Sequence, residues 1–387
     1  MEEWKEYRLE DVCGLVPGFA FKSKDFGDYE TKAIKIKDIQ PPFIDFEGSD
    51  GVCLTGYNKD KLKKYLVKKG DFLLAMTGAT IGKIGRYTYN IPAYLNQRVL
   101  KFEEKQGVDY DFIYYYLSTQ HFQSYIINHI DSESAQPNIS AKTIGKYPVF
   151  LPSFVTQNRI VALLKSFDDK IEVNKRLNDN LQHQAQALYK SWFVDYEPFK
   201  NGEFVESELG MIPKGWRLGT LGEIIEIKYG KDHKKLSDGI IPVYGSGGLM
   251  RYAEKPLYEG ESVLIPRKGT LNNVMYVNEA FWTVDTMFYT IPRMQNSMLF
   301  AYILLSNKDL ASMNSGSAVP SMTTEILNNI QIVMPVSDVL AEFNRLVFAY
   351  YAQIRHYDQE TRRLAQLRDA ILPRLMSGEL KVDEVTV

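Results

Sequence analysis

The chain of 387 residues is poor in the two residue types that staple or ligate: it has two cysteines and five histidines. Cys13 and Cys53 cannot build a disulfide framework, and free thiols fit a reducing compartment. His121, His129, His183, His233 and His356 fall at no ligand spacing, so no metal site is expected. No apolar run reaches the length of a membrane span, and the start, MEEWKEYRLE, is charged. A cytoplasmic protein without membrane contact is therefore expected. The formal charge is −2, so no global bias demands or excludes nucleic acid.

Catalytic groupings are missing too. Gly78–Lys83 invites a phosphate-loop reading, but only three residues separate its glycines and Ile84 stands where the metal-binding hydroxyl belongs. A turn between strands is the better reading. Gln40-Pro41-Pro42-Phe43 resembles the base-holding motif of amino-methylating enzymes, yet Gln replaces the required Asp, Asn or Ser and no glycine-rich donor loop lies nearby. No Ser/His/Asp order or supported carboxylate pair is found. A non-catalytic chain with no cofactor of its own is expected.

What is present is a long helix, made twice. After Leu151-Pro152, residues Ile160, Leu164, Phe167, Ile171, Leu181, Ala185 and Leu188 recur at four-three spacing. That is the seam of a helix packed on one partner helix. Asn174 and Asn178 occupy the seam positions in between, where buried amides fix register. From Val155 to Lys190 such a helix would span about 54 Å. A shift of 183 positions lays Phe343, Val347, Tyr350 and Ile354 over Ile160, Leu164, Phe167 and Ile171, and Leu364 and Ile371 over Leu181 and Leu188. Tyr357 and Thr361 fall over the two asparagines. Each seam needs burying, and the other helix is the obvious partner.

The expected architecture is α+β: two globular α+β domains separated by two long helices that form an antiparallel coiled coil, a pseudo-twofold tandem duplication. The bounds read as 1–150, 151–200 (first helix), 201–334 and 335–387 (second helix). Within the first domain, Ala33–Ile39 reads as a strand and Asp109–Ile130 as one helix, while Ser191–Asp195 reads as a hinge. Gly215-Trp216-Arg217-Leu218 restarts the pattern opened at Trp4. The helices match in register while the domains share only anchor points. Two divergent readers on one frame would look like this.

A nucleic-acid surface is the best reading of the loops. Lys22, Lys35, Lys37, Lys83, Arg98, Lys231, Lys234, Lys235, Arg251, Arg267 and Lys268 sit in loops or at strand ends, where cations can neutralise phosphates. Thr77, Thr80, Gln136, Asn138, Ser246 and Thr270 are polar candidates for base edges. Gly245-Ser246-Gly247-Gly248 reads equally as a hairpin turn and as a place where backbone approaches a ligand.

Gln157, Arg159-Ile160-Val161, Leu164, Asp168, Ile171 and Asn174, after Leu151-Pro152, resemble the conserved region of the specificity subunits of type I restriction-modification systems. Ser191–Asp195 with Pro198-Phe199, Ile241–Gly245 and Gln136–Ser140 are similar to further anchors of that family, although Val319-Pro320-Ser321 lacks the Gln of the first copy. The resemblance implies a pseudo-twofold clamp on double-stranded DNA, each domain reading one half of a split, asymmetric site. The helices would act as a ruler of roughly 15 base pairs. It also implies two methylase subunits as partners, which use S-adenosylmethionine to methylate adenine, and restriction/translocase subunits that add ATP-driven cleavage. The alternative in another class is a coiled-coil scaffold with duplicated peptide- or protein-binding domains.

Overall fold

The computed structural model describes residues 4–130, 137–313 and 321–385. The chain forms two compact units, one of residues 1–172 and 361–387, the other of residues 173–360. Each contains a globular domain and a piece of both long helices.

The helices run Phe154–Phe193 and Ser337–Met376, 40 residues each. Their pairing is antiparallel in both units. In the first unit Asp168 meets Arg368; in the second, Asn174 donates to Glu360 at 2.8 Å and Asn178 to Asp358 at 2.7 Å. The polar layer is thus amide on carboxylate. Tyr357 and Thr361, its counterparts by sequence shift, are half-buried. Of the seam residues, Ile160, Leu164, Phe167, Phe343, Val347 and Ile354 are buried, whereas Ile171, Leu181, Leu188, Leu364 and Ile371 are half-buried. Tyr351 is the buried tyrosine and Tyr350 only half-covered. The reason is that this turn packs on its own domain, where Tyr351 meets Tyr276 and Tyr302, as well as on a helix.

The first domain is built on a six-stranded sheet in the order Gly14–Pro17, Val99–Glu103, Phe72–Ala75, Ile84–Arg86, Phe43–Ile44, Ile39–Gln40, beside a four-stranded sheet centred on Phe26–Ile34 and Ala93–Leu95. The second has one six-stranded sheet in the order Ile225–Tyr229, Met287–Pro292, Tyr258–Pro266, Met275–Thr283, Ile241–Gly245, Gly248–Ala253.

Local chemistry moves three expected boundaries. The strand ends at Ile34, because the Asp38 carboxylate accepts from Lys35 N and folds Ile36–Asp38 into a 3₁₀ turn. The aromatic helix divides into Tyr110–Leu117 and Gln120–Asn128, since the Ser118 and Thr119 hydroxyls bond back to the carbonyls of Tyr114 and Tyr116. Ser191–Phe193 is no hinge: the helix continues through it, and buried Phe193 packs on Trp216, Phe300 and Phe343.

Candidate nucleic-acid interface

The duplication extends into the hydrogen-bond frame that places the loops. In the first unit Lys5 pairs with Leu151 and Leu9 N donates to Tyr147 O; in the second Arg217 pairs with Met334 and Leu221 N donates to Ile330 O. Gly18 N reaches Val99 O as Gly230 N reaches Met287 O. A Cβ on either glycine would lie inside a backbone carbonyl oxygen, that of Asn96 or of Val284. Only glycine lets the chain cross there.

The same frame fixes one loop cluster per unit. Met76 N donates to Arg98 O and its carbonyl accepts from Ile139 N; Arg267 N donates to Thr286 O and its carbonyl accepts from Met322 N. Thr77 bridges Asn138 as Lys268 bridges Ser321. Gly78 and Gly269 follow, both at positive φ (74° and 87°). At matched positions the side chains differ: Phe19 against Lys231, Met76-Thr77 against Arg267-Lys268, Arg98 against Thr286, Asn138 against Ser321. The backbone is one design and the chemistry displayed on it is two.

Around the first cluster, Thr77 is buried; its hydroxyl donates to Pro137 O at 2.8 Å and accepts from the Arg98 guanidinium at 3.3 Å. It therefore shapes the loop and presents no free base-reading group. Arg98 is exposed on left-handed backbone, φ 68°. Asn138 is half-buried and Gln136 lies outside the described residues. Thr80 has its hydroxyl buried in the 3₁₀ turn Gly78–Thr80, with no hydrogen-bond partner among the described residues. Exposed Lys83 reaches a separate cavity of about 320 Å³, walled by Pro42, Tyr114, Asp168 and Arg368.

Lys22, Lys35 and Lys37 belong elsewhere in the domain. Lys22 is exposed. Lys35 and Lys37 both bind the Asp50 carboxylate, at 2.6 and 2.7 Å, and Lys35 also stands 3.5 Å over the Phe26 ring. Those two hydrogen bonds hold Asp50 below the usual carboxylate range and Lys37 above its own. Half of that pair's charge is spent inside the protein.

The second cluster is more cationic. Lys231, Lys234, Lys235, Lys268 and Thr270 are exposed. The Arg267 guanidinium lies 5.4 Å from the centre of the Tyr229 ring and donates to Asp285 O at 3.3 Å. Arg251 is a brace, donating to Leu236 O at 2.7 Å and pairing with Asp238 at 3.2 Å. Ser246 sits in a two-residue hairpin turn between Gly245 and Gly248, and its carbonyl accepts from Asn273 at 2.8 Å.

Gly18, Gly230, Tyr229, Asn273 and Asp50 were not singled out from sequence. The equal Trp4–Gly18 and Trp216–Gly230 spacings carried the signal for the first two; the others are defined by partners distant in the chain. Among the described residues no group of three or more His, Cys, Asp or Glu could hold a metal ion, and no helix is long and apolar enough to cross a membrane.

Residues 1–183 and 213–339 match the family model described as the type I restriction modification DNA specificity domain. The specificity subunit of the type I restriction enzyme MjaIX from Methanocaldococcus jannaschii is 29% identical over 415 residues, covering 99% of this chain and 95% of that one. The HindI specificity subunit from Haemophilus influenzae is 22% identical over 470 residues, covering 98% and 100%. The crystal structure of a type I restriction-modification S subunit from M. genitalium superposes with a TM-score of 0.56 at 18% identity, over 97% of this chain and 96% of that one. At that identity the likeness is one of fold.

Proposed function

The chain belongs to the type I restriction modification DNA specificity family, and from that premise we propose that its two units read the two halves of a bipartite, asymmetric site on double-stranded DNA. One observation supports this above the others: a single hydrogen-bond frame, made twice, carries unlike side chains at matched loop positions. Backbone bonds of this kind set orientation, and the side chains at the loop tips discriminate base edges. In this reading the paired helices fix the spacing between the half-sites and offer docking surface to two methylase subunits. Those partners carry S-adenosylmethionine and methylate adenine, and restriction/translocase subunits add ATP-driven cleavage. The chain itself contributes aim.

Replacing residues 1–150 with the matching segment of a relative of different target, and co-expressing the hybrid with the methylase subunits, tests it. The methylated sequence is expected to change in one half only. A change in both halves, or in neither, would overturn the reading.

A further inference from the structure

We propose that the hairpin of the second unit, Ile241–Ala253, is a DNA wedge: Leu249 and Met250 enter the base stack of the bound duplex at one step and kink it. The inference rests on the DNA-specificity reading above and goes beyond it, because it assigns part of the recognition to deformability rather than base contacts.

Four observations converge on this tip. Leu249 and Met250 are consecutive large apolar side chains, 41% and 56% exposed, on the edge strand of the sheet. Exposed apolar edges are an aggregation hazard that folded proteins normally avoid. Second, Tyr244 pairs with Leu249 but Val243 with Arg251, so Met250 is the extra residue of a bulge. A bulge bends the strand and re-aims a side chain. Third, the Met250 sulfur lies 2.4 Å from where a Cβ of Gly245 would be, so any larger residue at 245 must shift the Met side chain. The turn is also held: Ser246 O accepts from Asn273, and Gly269 packs against the Ser246 side chain.

Fourth, two basic loops are hydrogen-bonded to this hairpin. The loop bearing Arg267 and Lys268 is tied to the turn through Asn273, and the loop bearing Lys231, Lys234 and Lys235 is tied to the strand by Arg251. An apolar tip on a hairpin bonded to two basic loops suits a duplex, which offers phosphates beside a stack of apolar base faces. It suits the apolar face of a protein partner poorly, since those lysines would lose hydration unpaired.

The test uses the full chain in complex with its methylase subunits and duplexes carrying the methylated target, with 2-aminopurine placed step by step through the half-site assigned to the second unit. Wild type is expected to brighten the probe at one step other than the methylated adenine, without S-adenosylmethionine. Combined Leu249→Ser and Met250→Ser should abolish that brightening and weaken binding by about tenfold, with discrimination at that step flattened. Gly245→Ala keeps both apolar side chains but displaces Met250, and should also lose the brightening. Leu209→Ser, at an exposed apolar site in the separate Phe204–Pro213 hairpin, should change nothing. No bright step with wild type, or an undiminished one with the double variant, overturns the wedge. So does loss of methylase copurification with DNA binding intact, which would give this face to a protein partner. A complex that enriches no sequence at all would remove the DNA-specificity reading itself, and the wedge with it.

Discussion

Arg368 on the second long helix donates to Asp168 on the first at 2.5 Å, and Tyr115 of the first reading domain donates to the other oxygen of the same carboxylate at 2.6 Å. Both ionic side chains are less than a third exposed. Burial works against the Arg368 charge, but the carboxylates of Asp168 and Asp369 together outweigh it and hold the guanidinium pKa above its usual value. The matched position in the second unit has no such pair: its counterparts are Tyr351 and Ala185, with Tyr351 packed on Tyr276 and Tyr302. One domain is joined to the helices by charge, the other by rings. Arg368→Ala should therefore cost the first unit about 3 kcal/mol, the low end of the range for removing one partner of a buried ion pair. Urea unfolding followed by hydrogen exchange resolved to each unit checks it. Asp168→Asn, which keeps an acceptor for Tyr115, should cost less.

Leu164 and Val347 are fully buried and occupy matched seam positions, the former in the core of the first unit and the latter in that of the second. Leu164→Asp or Val347→Asp puts a carboxylate into a fully buried apolar seam and should cost about 4 kcal/mol or more. Thermal unfolding of each variant should show the loss in its own unit.

Gly18→Ala and Gly230→Ala should act as a pair. Each adds a methyl group that must displace a backbone carbonyl, an overpacking cost of about 3 kcal/mol, the upper end of the usual range. Each should also disturb recognition of only one half-site, read from the sequences methylated by the co-expressed complex. Equal disturbance of both halves by either variant would contradict the assignment.

The pH dependence centres on Asp38. Burial pushes its carboxyl up to about 6, against the backbone hydrogen bond from Lys35 and the charge of Lys37. The folded state thus holds a proton that the unfolded chain has already released, so Asp38 favours folding at low pH, and that contribution is lost as pH rises from about 4 to about 6. Asp38→Asn keeps the acceptor for Lys35 N and should remove a slope worth roughly 3 kcal/mol over that window. Denaturant midpoints between pH 4 and pH 7 measure it.

The two thiols should react at different rates. Burial pushes Cys13 up to about 12, and its sulfur bonds to Glu103 O at 3.2 Å. Cys53 is half-exposed, and hydrogen bonding to Thr55 holds its thiol below the usual value. A disulfide reagent at pH 8 should modify Cys53 promptly and Cys13 only after denaturant is added.

The long helices and their partnership were legible in the sequence because a repeat every 183 positions is a property of spacing alone. The frame around the loops was half legible: Trp4 and Trp216 announce it, while the bonds that complete it join residues far apart in the chain. Individual functional side chains were hardest to read. From sequence, Lys35 and Arg251 read as cations open to phosphate; in the fold Lys35 pairs with Asp50, and Arg251 bonds to Leu236 O and Asp238. Composition shows that a charge exists; only tertiary contact shows whether it is already taken. The division of the aromatic helix at Ser118 and Thr119 has a similar cause, since two hydroxyls turned back on their own backbone outweighed a favourable apolar pattern.

The first compact unit closes over Leu372, Leu375 and Met376, which share its core with Ile160, Leu164 and Phe112. During translation, the domain made earliest must therefore wait until residues 372–376 have been made before its core is complete. The second unit, drawn wholly from residues 173–360, has no such wait. A stop after position 360 would spare the later-made domain and release the earlier one with its core unfinished.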